Sequence, residues 1–105
     1  MKKIYLLTLF LMTCRMLQAQ VTEKEFQALK AFYNATDGNN WKNRTGWENI
    51  NTTATAADVN GSWFGLVITD GHVTKIGMSS NLKGGYLPPQ IGDLAWLKYL
   101  EVDND

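Results

Sequence analysis

Cysteine and histidine are almost absent from this chain of 105 residues. The one cysteine, Cys14, lies in a segment that we expect to be removed, so the mature chain would have neither a disulfide nor a thiolate metal site. A single histidine, His72, without a second histidine or a cysteine cannot form a typical transition-metal site, and we expect it to be an exposed turn residue. Since a phosphate-binding glycine loop and a serine nucleophile motif are also lacking, the sequence predicts no enzyme, no cofactor and no catalytic or metal-binding residue.

Excess positive charge is also missing. The whole chain has ten basic and ten acidic residues. Lys2, Lys3 and Arg15 lie in the segment expected to be removed, which leaves seven basic against ten acidic residues and a net charge of −3. Binding to nucleic acid depends on a concentration of positive charge, so nucleic acid is not an expected partner.

A long apolar run is lacking too, and the short one has a specific meaning. Residues 4–12 are apolar apart from Thr8, follow two lysines, and precede a stretch that reaches Ala19. This pattern predicts a secretory signal peptide over residues 1–20, and therefore a secreted or cell-surface protein. The run is shorter than the roughly 20 residues of a membrane-spanning helix, so no stable span is expected, with an uncleaved N-terminal anchor as the alternative.

Cys14 raises a second alternative, a lipid anchor. Leu11 lies three residues before it, as in lipoprotein signals. Thr13 directly before the cysteine and Arg15 directly after it fit that signal poorly. Lipoprotein anchoring through Cys14 is therefore not expected.

The mature chain opens with signals for a helix. Thr22 and Glu25 have the spacing of a capping box, in which each side chain bonds the backbone N–H of the other residue. Val21 and Phe26 stand at the two positions of a hydrophobic staple. Apolar residues continue at helical spacing, so we predict a helix over residues 23–35.

A loop rich in Asn, Thr and Gly follows, with three tryptophans in it, Trp41, Trp47 and Trp63. Each ring buries on the order of 200 Å² when it is packed. We expect the three rings to close one end of a hydrophobic core. The alternative is an aromatic platform for binding sugars.

The stretch FGLVITDGHVTKIGM predicts a β-hairpin. Two runs of strand-forming residues flank Asp70 and Gly71, the pair that a type I′ turn prefers. The first strand would complete a capping region over residues 21–72.

The rest of the chain, residues 73–105, repeats itself after 24 positions. The shift superimposes Val73 on Leu97, Ile76 on Leu100, Met78 on Val102 and Asn81 on Asp105. This spacing, L-x-x-L-x-L-x-x-N, is the signature of a leucine-rich repeat. One repeat cannot bury its own apolar face, so the aliphatic side chains of stacked parallel strands would share one interior, and the asparagine amide would bond backbone groups in the turn.

From the helix onward the chain resembles the N-terminal region of secreted bacterial leucine-rich repeat proteins. The resemblance lies in ALKAFYNATDGNNW, TGW, WFGL and IGMSSNLKGGYLPPQIGDLAWLKYLEVDND. It implies an α+β fold: a capping helix and Trp-rich loop, a β-hairpin, then the start of a solenoid with one complete and one truncated repeat. It also implies that aromatic burial replaces the cysteines of the related plant caps.

The repeat departs from the family pattern in two places. Lys83 occupies a leucine position, and Leu82, one residue earlier, is the expected substitute. Asp105 replaces the second asparagine and cannot donate hydrogen bonds as an amide does. Between the copies, Leu87, Ile91 and Leu94 are expected to face inward.

Solenoids usually bind their ligands on the concave strand face. The outward positions are Thr74, Lys75, Gly77 and Ser79 in the first copy, and Lys98, Tyr99, Glu101 and Asp103 in the second. We predict a contact surface here, formed by Lys75, Ser79, Lys98, Tyr99, Glu101 and Asp103. The alternating acidic residues at 101, 103 and 105 could suggest calcium, but a solvated face is the favoured interpretation.

The sequence therefore predicts a non-catalytic binding module with a protein or surface-glycan ligand. The alternative is a truncated fragment or remnant that binds nothing by itself. In either case Leu97, Leu100 and Val102 would lie at an uncovered strand edge, which favours self-association.

Overall fold

A computed structural model of the chain describes residues 20–103. The signal segment with Cys14 and the turn residue Asp105 lie outside the described residues. The described part is a small α+β domain with one α-helix and a three-stranded mixed sheet, which confirms the α+β class of the predicted fold. Its elements are α1 (Glu23–Ala35), β1 (Leu66–Thr69), β2 (His72–Gly77) and β3 (Tyr99–Glu101), with short 3₁₀ turns at Gly38–Asn40, Ala56–Asp58 and Pro89–Asp93.

The helix α1 begins and ends at the predicted residues. The Thr22 hydroxyl accepts from the Glu25 backbone N–H at 3.1 Å, and the Glu25 carboxylate accepts from the Thr22 N–H at 3.3 Å, so the capping box is formed. Val21 and Phe26 are both buried, as a hydrophobic staple requires. The chain leaves the helix through Asp37, which takes the left-handed conformation with φ 58°.

The three loop tryptophans are packed into one aromatic cluster with α1. Trp47 is fully buried at its centre, with its ring centroid 6.0 Å from Tyr33, 4.9 Å from Trp41 and 5.4 Å from Trp63. The Trp47 indole N–H donates to the Phe64 carbonyl at 3.0 Å, so the polar edge of the ring is satisfied. Buried rings cannot stack on a ligand from solvent, which excludes the sugar-platform alternative for these three residues.

The sheet has the order β1-β2-β3 and combines both kinds of pairing. β1 and β2 are antiparallel around Asp70 and Gly71, whose φ values of 53° and 78° are those of a type I′ turn. β2 and β3 are parallel, with Ile76 directly paired to Leu100. The 24-residue shift found in the sequence therefore places these two residues side by side, as predicted.

The predicted inward positions of the two copies are buried to different degrees. Val73, Ile76 and Met78 are fully buried. Leu97, Leu100 and Val102 are half-buried and pack against the same core. Among residues 20–103, β3 has a strand neighbour on one side only, so the second copy forms the open side of the described domain.

The connecting segment confirms one substitution and corrects one position. Leu82 is buried and Lys83 is exposed, so Leu82 supplies the inward apolar side chain at this point, as predicted. Leu94 is buried and Ile91 packs against the core, but Leu87 is 46% exposed, and its predicted inward orientation is wrong. The chain passes Leu87 just before Pro88, where backbone geometry is restricted.

Asn81 bonds a more distant partner than predicted. Its amide oxygen accepts from the Asn43 backbone N–H at 2.7 Å, and its amide nitrogen donates to the Asn43 carbonyl at 2.8 Å. The Asn81 side chain therefore connects the Trp-rich loop to the segment that follows β2. The sequence had predicted a hydrogen bond within the turn instead. Because the donor and the acceptor of this buried amide are both hydrogen-bonded, removing either bond leaves an unsatisfied group and destabilises the fold.

We predict that Trp47→Ala destabilises the domain by about 3–5 kcal/mol, because it removes a fully buried ring and leaves a cavity. Total stabilities of small domains are about 5–15 kcal/mol, so the variant would be close to unfolding. Trp96→Ala is the matched control, since that ring is 49% exposed, and should cost about 1 kcal/mol or less. Urea unfolding followed by far-ultraviolet circular dichroism measures both, and equal losses would contradict the central role of Trp47.

We predict that Asn81→Asp costs about 1–3 kcal/mol near neutral pH. The carboxylate keeps the acceptor for the Asn43 N–H but replaces the donor to the Asn43 carbonyl with a second acceptor. The exposed Asn49→Asp change adds the same charge elsewhere in the loop and should be nearly neutral. Chemical unfolding at one pH compares the two, and an Asn81→Asp variant as stable as Asn49→Asp would refute the assigned role.

Candidate functional site

Four of the six predicted contact residues lie together on one face of the sheet. Lys75 in β2 is the register partner of Tyr99 in β3. The Lys75 ammonium lies 3.4 Å from one carboxylate oxygen of Glu101, and the Ser79 hydroxyl donates to the other at 3.2 Å. We call Lys75, Ser79, Tyr99 and Glu101 the strand-face patch.

The strand-face patch combines an exposed aromatic ring with a cation and an anion. Tyr99 is 65% exposed, and its register partner in β2 is the half-buried Lys75. The Lys75–Glu101 pair is partly exposed, and such pairs contribute at most about 1 kcal/mol to stability. Its main effect is to hold two charges beside the tyrosine, an arrangement suited to contact with another macromolecule.

The other two predicted contact residues, Lys98 and Asp103, are also exposed. Their hydrogen bonds involve backbone atoms and no residue side chain of the strand-face patch. Lys98 directly precedes β3, and its backbone N–H donates to the Thr74 carbonyl at 2.9 Å. Asp103 follows β3, and its carbonyl accepts from the Ser80 N–H at 3.3 Å. Both are backbone hydrogen bonds, so they position the main chain on either side of β3 and do not orient the Lys98 or Asp103 side chain.

Thr74 was expected to point outward, and this prediction is wrong. The residue is buried, and its hydroxyl donates to the Val67 carbonyl at 3.2 Å and lies 3.1 Å from the Thr69 hydroxyl. Val67 pairs with Lys75 and the next residue, Ile68, pairs with Val73, so Thr74 is the extra residue of a β-bulge in β2. Thr74 therefore supports the hairpin and is no part of a contact surface.

A second polar cluster was not foreseen from the sequence. His72 is half-buried, so its expected exposed position is wrong. Its Nδ1 lies 3.1 Å from Glu25 Oε1, and its ring stacks on Trp96 with centroids 4.2 Å apart and planes 2° apart. Glu25, His72 and Trp96 therefore join the start of α1, the start of β2 and the segment before β3.

Glu25 is the buried charge at the centre of this cluster. Burial raises the pKa of its carboxyl, but hydrogen bonds from the Val73 and Thr22 backbone N–H groups and from the His72 and Thr22 side chains outweigh burial, so the pKa lies below the ordinary 4.5. The Val73 N–H donates at 2.9 Å. Because the carboxylate is ionised and only accepts, His72 Nδ1 is the donor in their contact.

A cleft of about 240 Å³ opens beside the cluster. It is lined by Thr22, Lys24, Glu25, His72, Gly92, Asp93, Ala95 and Trp96. The Lys24 ammonium lies 3.7 Å from Asp93 Oδ1. Within residues 20–103, no three His, Cys, Asp or Glu side chains are grouped so that they could hold a metal ion, and no helix is long and apolar enough to cross a membrane.

We predict that Glu25 makes stability depend on pH in the acid range. A carboxyl whose folded pKa is lowered stabilises the fold fully above its unfolded pKa of about 4.5, and this contribution disappears as pH falls through the folded pKa. Glu25→Gln should therefore cost about 1.5–3 kcal/mol near neutral pH and progressively less below pH 4.5. Unfolding free energies measured from pH 7 to 3 test this, with exposed Glu48→Gln as control; a gap between wild type and Glu25→Gln that stays constant with pH would rule it out.

No protein-family model, curated protein or solved structure matches this chain, so what it does has to be argued from its own residues.

Proposed function

We propose that this chain is a secreted or cell-surface leucine-rich repeat module that binds another protein through its strand-face patch and catalyses no reaction. The observation that carries the proposal is the parallel pairing of Ile76 with Leu100, two residues 24 positions apart, beneath an exposed polar face. Stacked copies of such a unit would form a solenoid, and each added copy would widen the face.

The chemistry of the patch supports a protein ligand. Tyrosine is enriched among the residues that contribute most to binding at protein interfaces. Its ring covers a large area at small entropic cost, and its hydroxyl can form a hydrogen bond with the partner. Tyr99 is the register partner of Lys75, and Glu101 follows it two residues later on the same face of β3. The charges beside it would orient a partner that carries the complementary pair.

The patch stands on a rigid base. Ile76 and Met78, on the two sides of Gly77 in the chain, are fully buried and hold β2 in place beneath it. β3 is held by its ladder to β2 and by half-buried Leu100 and Val102. A preorganised surface loses little entropy on binding, which favours a binding role.

Two alternatives differ from this proposal in what the patch does. In the first, the chain is a remnant and the patch binds nothing. In the second, the open side of β3 pairs with another copy, because an unpaired strand edge can extend a ladder. Neither alternative requires Tyr99 itself to be exposed, whereas binding through the patch depends on it.

Tyr99→Ser tests the proposal, with Tyr86→Ser as the matched control, since the two tyrosines are 65% and 68% exposed. The biotinylated mature chain, kept dilute so that it stays monomeric by sedimentation, is incubated with extracellular proteins of the organism that encodes it. We expect captured protein to fall about tenfold or more with Tyr99→Ser, equivalent to about 1.4 kcal/mol, and to persist with Tyr86→Ser.

Two results would contradict the proposal. Capture of the same proteins in equal amounts by both variants would show that the patch is not the contact surface. Capture of nothing but other copies of the chain would favour pairing through the edge of β3.

A further inference from the structure

The cleft beside the Glu25–His72–Trp96 cluster has the chemistry of a small-ligand site. It lies between the start of α1, the start of β2 and the 3₁₀ turn at Pro89–Asp93, and it shares no residue with the strand-face patch. Its volume of about 240 Å³ is smaller than the roughly 300–1,000 Å³ of pockets for drug-sized molecules. A ligand of about one ring is the size that fits.

Trp96 gives the cleft an accessible aromatic face. The other three tryptophans of the chain are buried, whereas Trp96 is 49% exposed and lines the cleft. The coplanar stack on His72 covers one face of the Trp96 ring and fixes its orientation, since the two planes differ by 2°, so a ligand would use the other face. A large ring held half-open to solvent offers an apolar surface on which a flat ligand can stack.

The polar groups of the cleft indicate the charge of that ligand. Lys24 and Asp93 form an exposed ion pair at 3.7 Å and balance one another's charge. The Glu25 carboxylate is already used by hydrogen bonds inside the protein, from Val73, Thr22 and His72. The exposed ion pair therefore offers one donor and one acceptor group, and the buried Glu25 carboxylate adds a negative charge to the lining, which disfavours a phosphate ligand.

We propose that this cleft binds one neutral saccharide ring. The ring stacks its apolar C–H face on Trp96, and its hydroxyls bond the Asp93 carboxylate and the Lys24 ammonium. This combination of one aromatic face with balanced donors and acceptors matches a molecule that is apolar on its faces and polar around its rim. The inference does not depend on the proposed protein ligand, because the two sites use different residues.

The test is a titration of the intact mature chain with methyl glucoside, methyl mannoside, methyl galactoside and N-acetylglucosamine, each up to about 50 mM, a range that covers the weak end of specific binding. Binding is followed by the indole N–H signals in ¹H–¹⁵N spectra, in which Trp96→Phe identifies the Trp96 signal. We expect at least one sugar to shift that signal saturably and to leave those of Trp41, Trp47 and Trp63 nearly unchanged.

Variants separate a built site from unspecific contact. Trp96→Ala should abolish the saturable shifts of the cleft backbone amides, and Asp93→Asn should weaken binding at least tenfold. Tyr86→Ala removes a ring that is 68% exposed and lies outside the cleft, and should leave affinity unchanged. If Trp96→Ala fails to fold, Asp93→Asn decides alone.

Three outcomes overturn the inference. The first is that none of the four sugars produces a saturable shift. The second is that the shifts survive Trp96→Ala or Asp93→Asn. The third is that inorganic phosphate or tetramethylammonium shifts the Trp96 signal at concentrations where the sugars do not, since the cleft would then select for charge.

Discussion

The burial of the Trp47 ring is the contact on which the rest of the domain depends. Small domains bury a limited fraction of their surface and often need a disulfide or a metal to be stable. The described residues contain no cysteine and no grouped metal ligands. Trp47 joins Tyr33 of the helix to Trp41 and Trp63 of a long loop with little regular structure, so one ring holds together segments that local bonding alone would leave loose.

Two buried polar links then connect this aromatic cluster to the sheet. Asn81 bonds both backbone groups of Asn43, and Glu25 accepts from the backbone of Val73. Aromatic packing is nearly non-directional, whereas these bonds have defined geometry and so fix how the sheet sits against the cap. No buried side-chain N or O atom in the described range is left without a hydrogen-bond partner, so this specificity is reached without an unsatisfied group.

The sequence predicted well those features whose signals are local or periodic. The Thr22–Glu25 spacing determines where the helix begins, Asp70 and Gly71 determine the hairpin turn, and the 24-residue shift pairs Ile76 with Leu100. The failures concern contacts between distant segments. Nothing near His72 in the chain indicates that Glu25, 47 residues earlier, would bind it. The burial of Thr74 follows from a bulge at that residue in β2, which composition does not reveal.

The position of the capping glutamate has a consequence for the candidate sites. In an ordinary capping box, Glu25 would serve only the first turn of its own helix, and its second oxygen would face solvent. Here that oxygen accepts from β2, and the first also contacts His72, which in turn orients Trp96. Glu25, whose position in the sequence is explained by helix capping, thereby also helps to shape a cleft that is formed by three segments of the chain. The strand-face patch needs no such network, because from Lys75 onward, after the bulge at Thr74, strand alternation turns Lys75 outward and Ile76 inward. A periodic sequence signal could therefore reveal the patch but not the cleft.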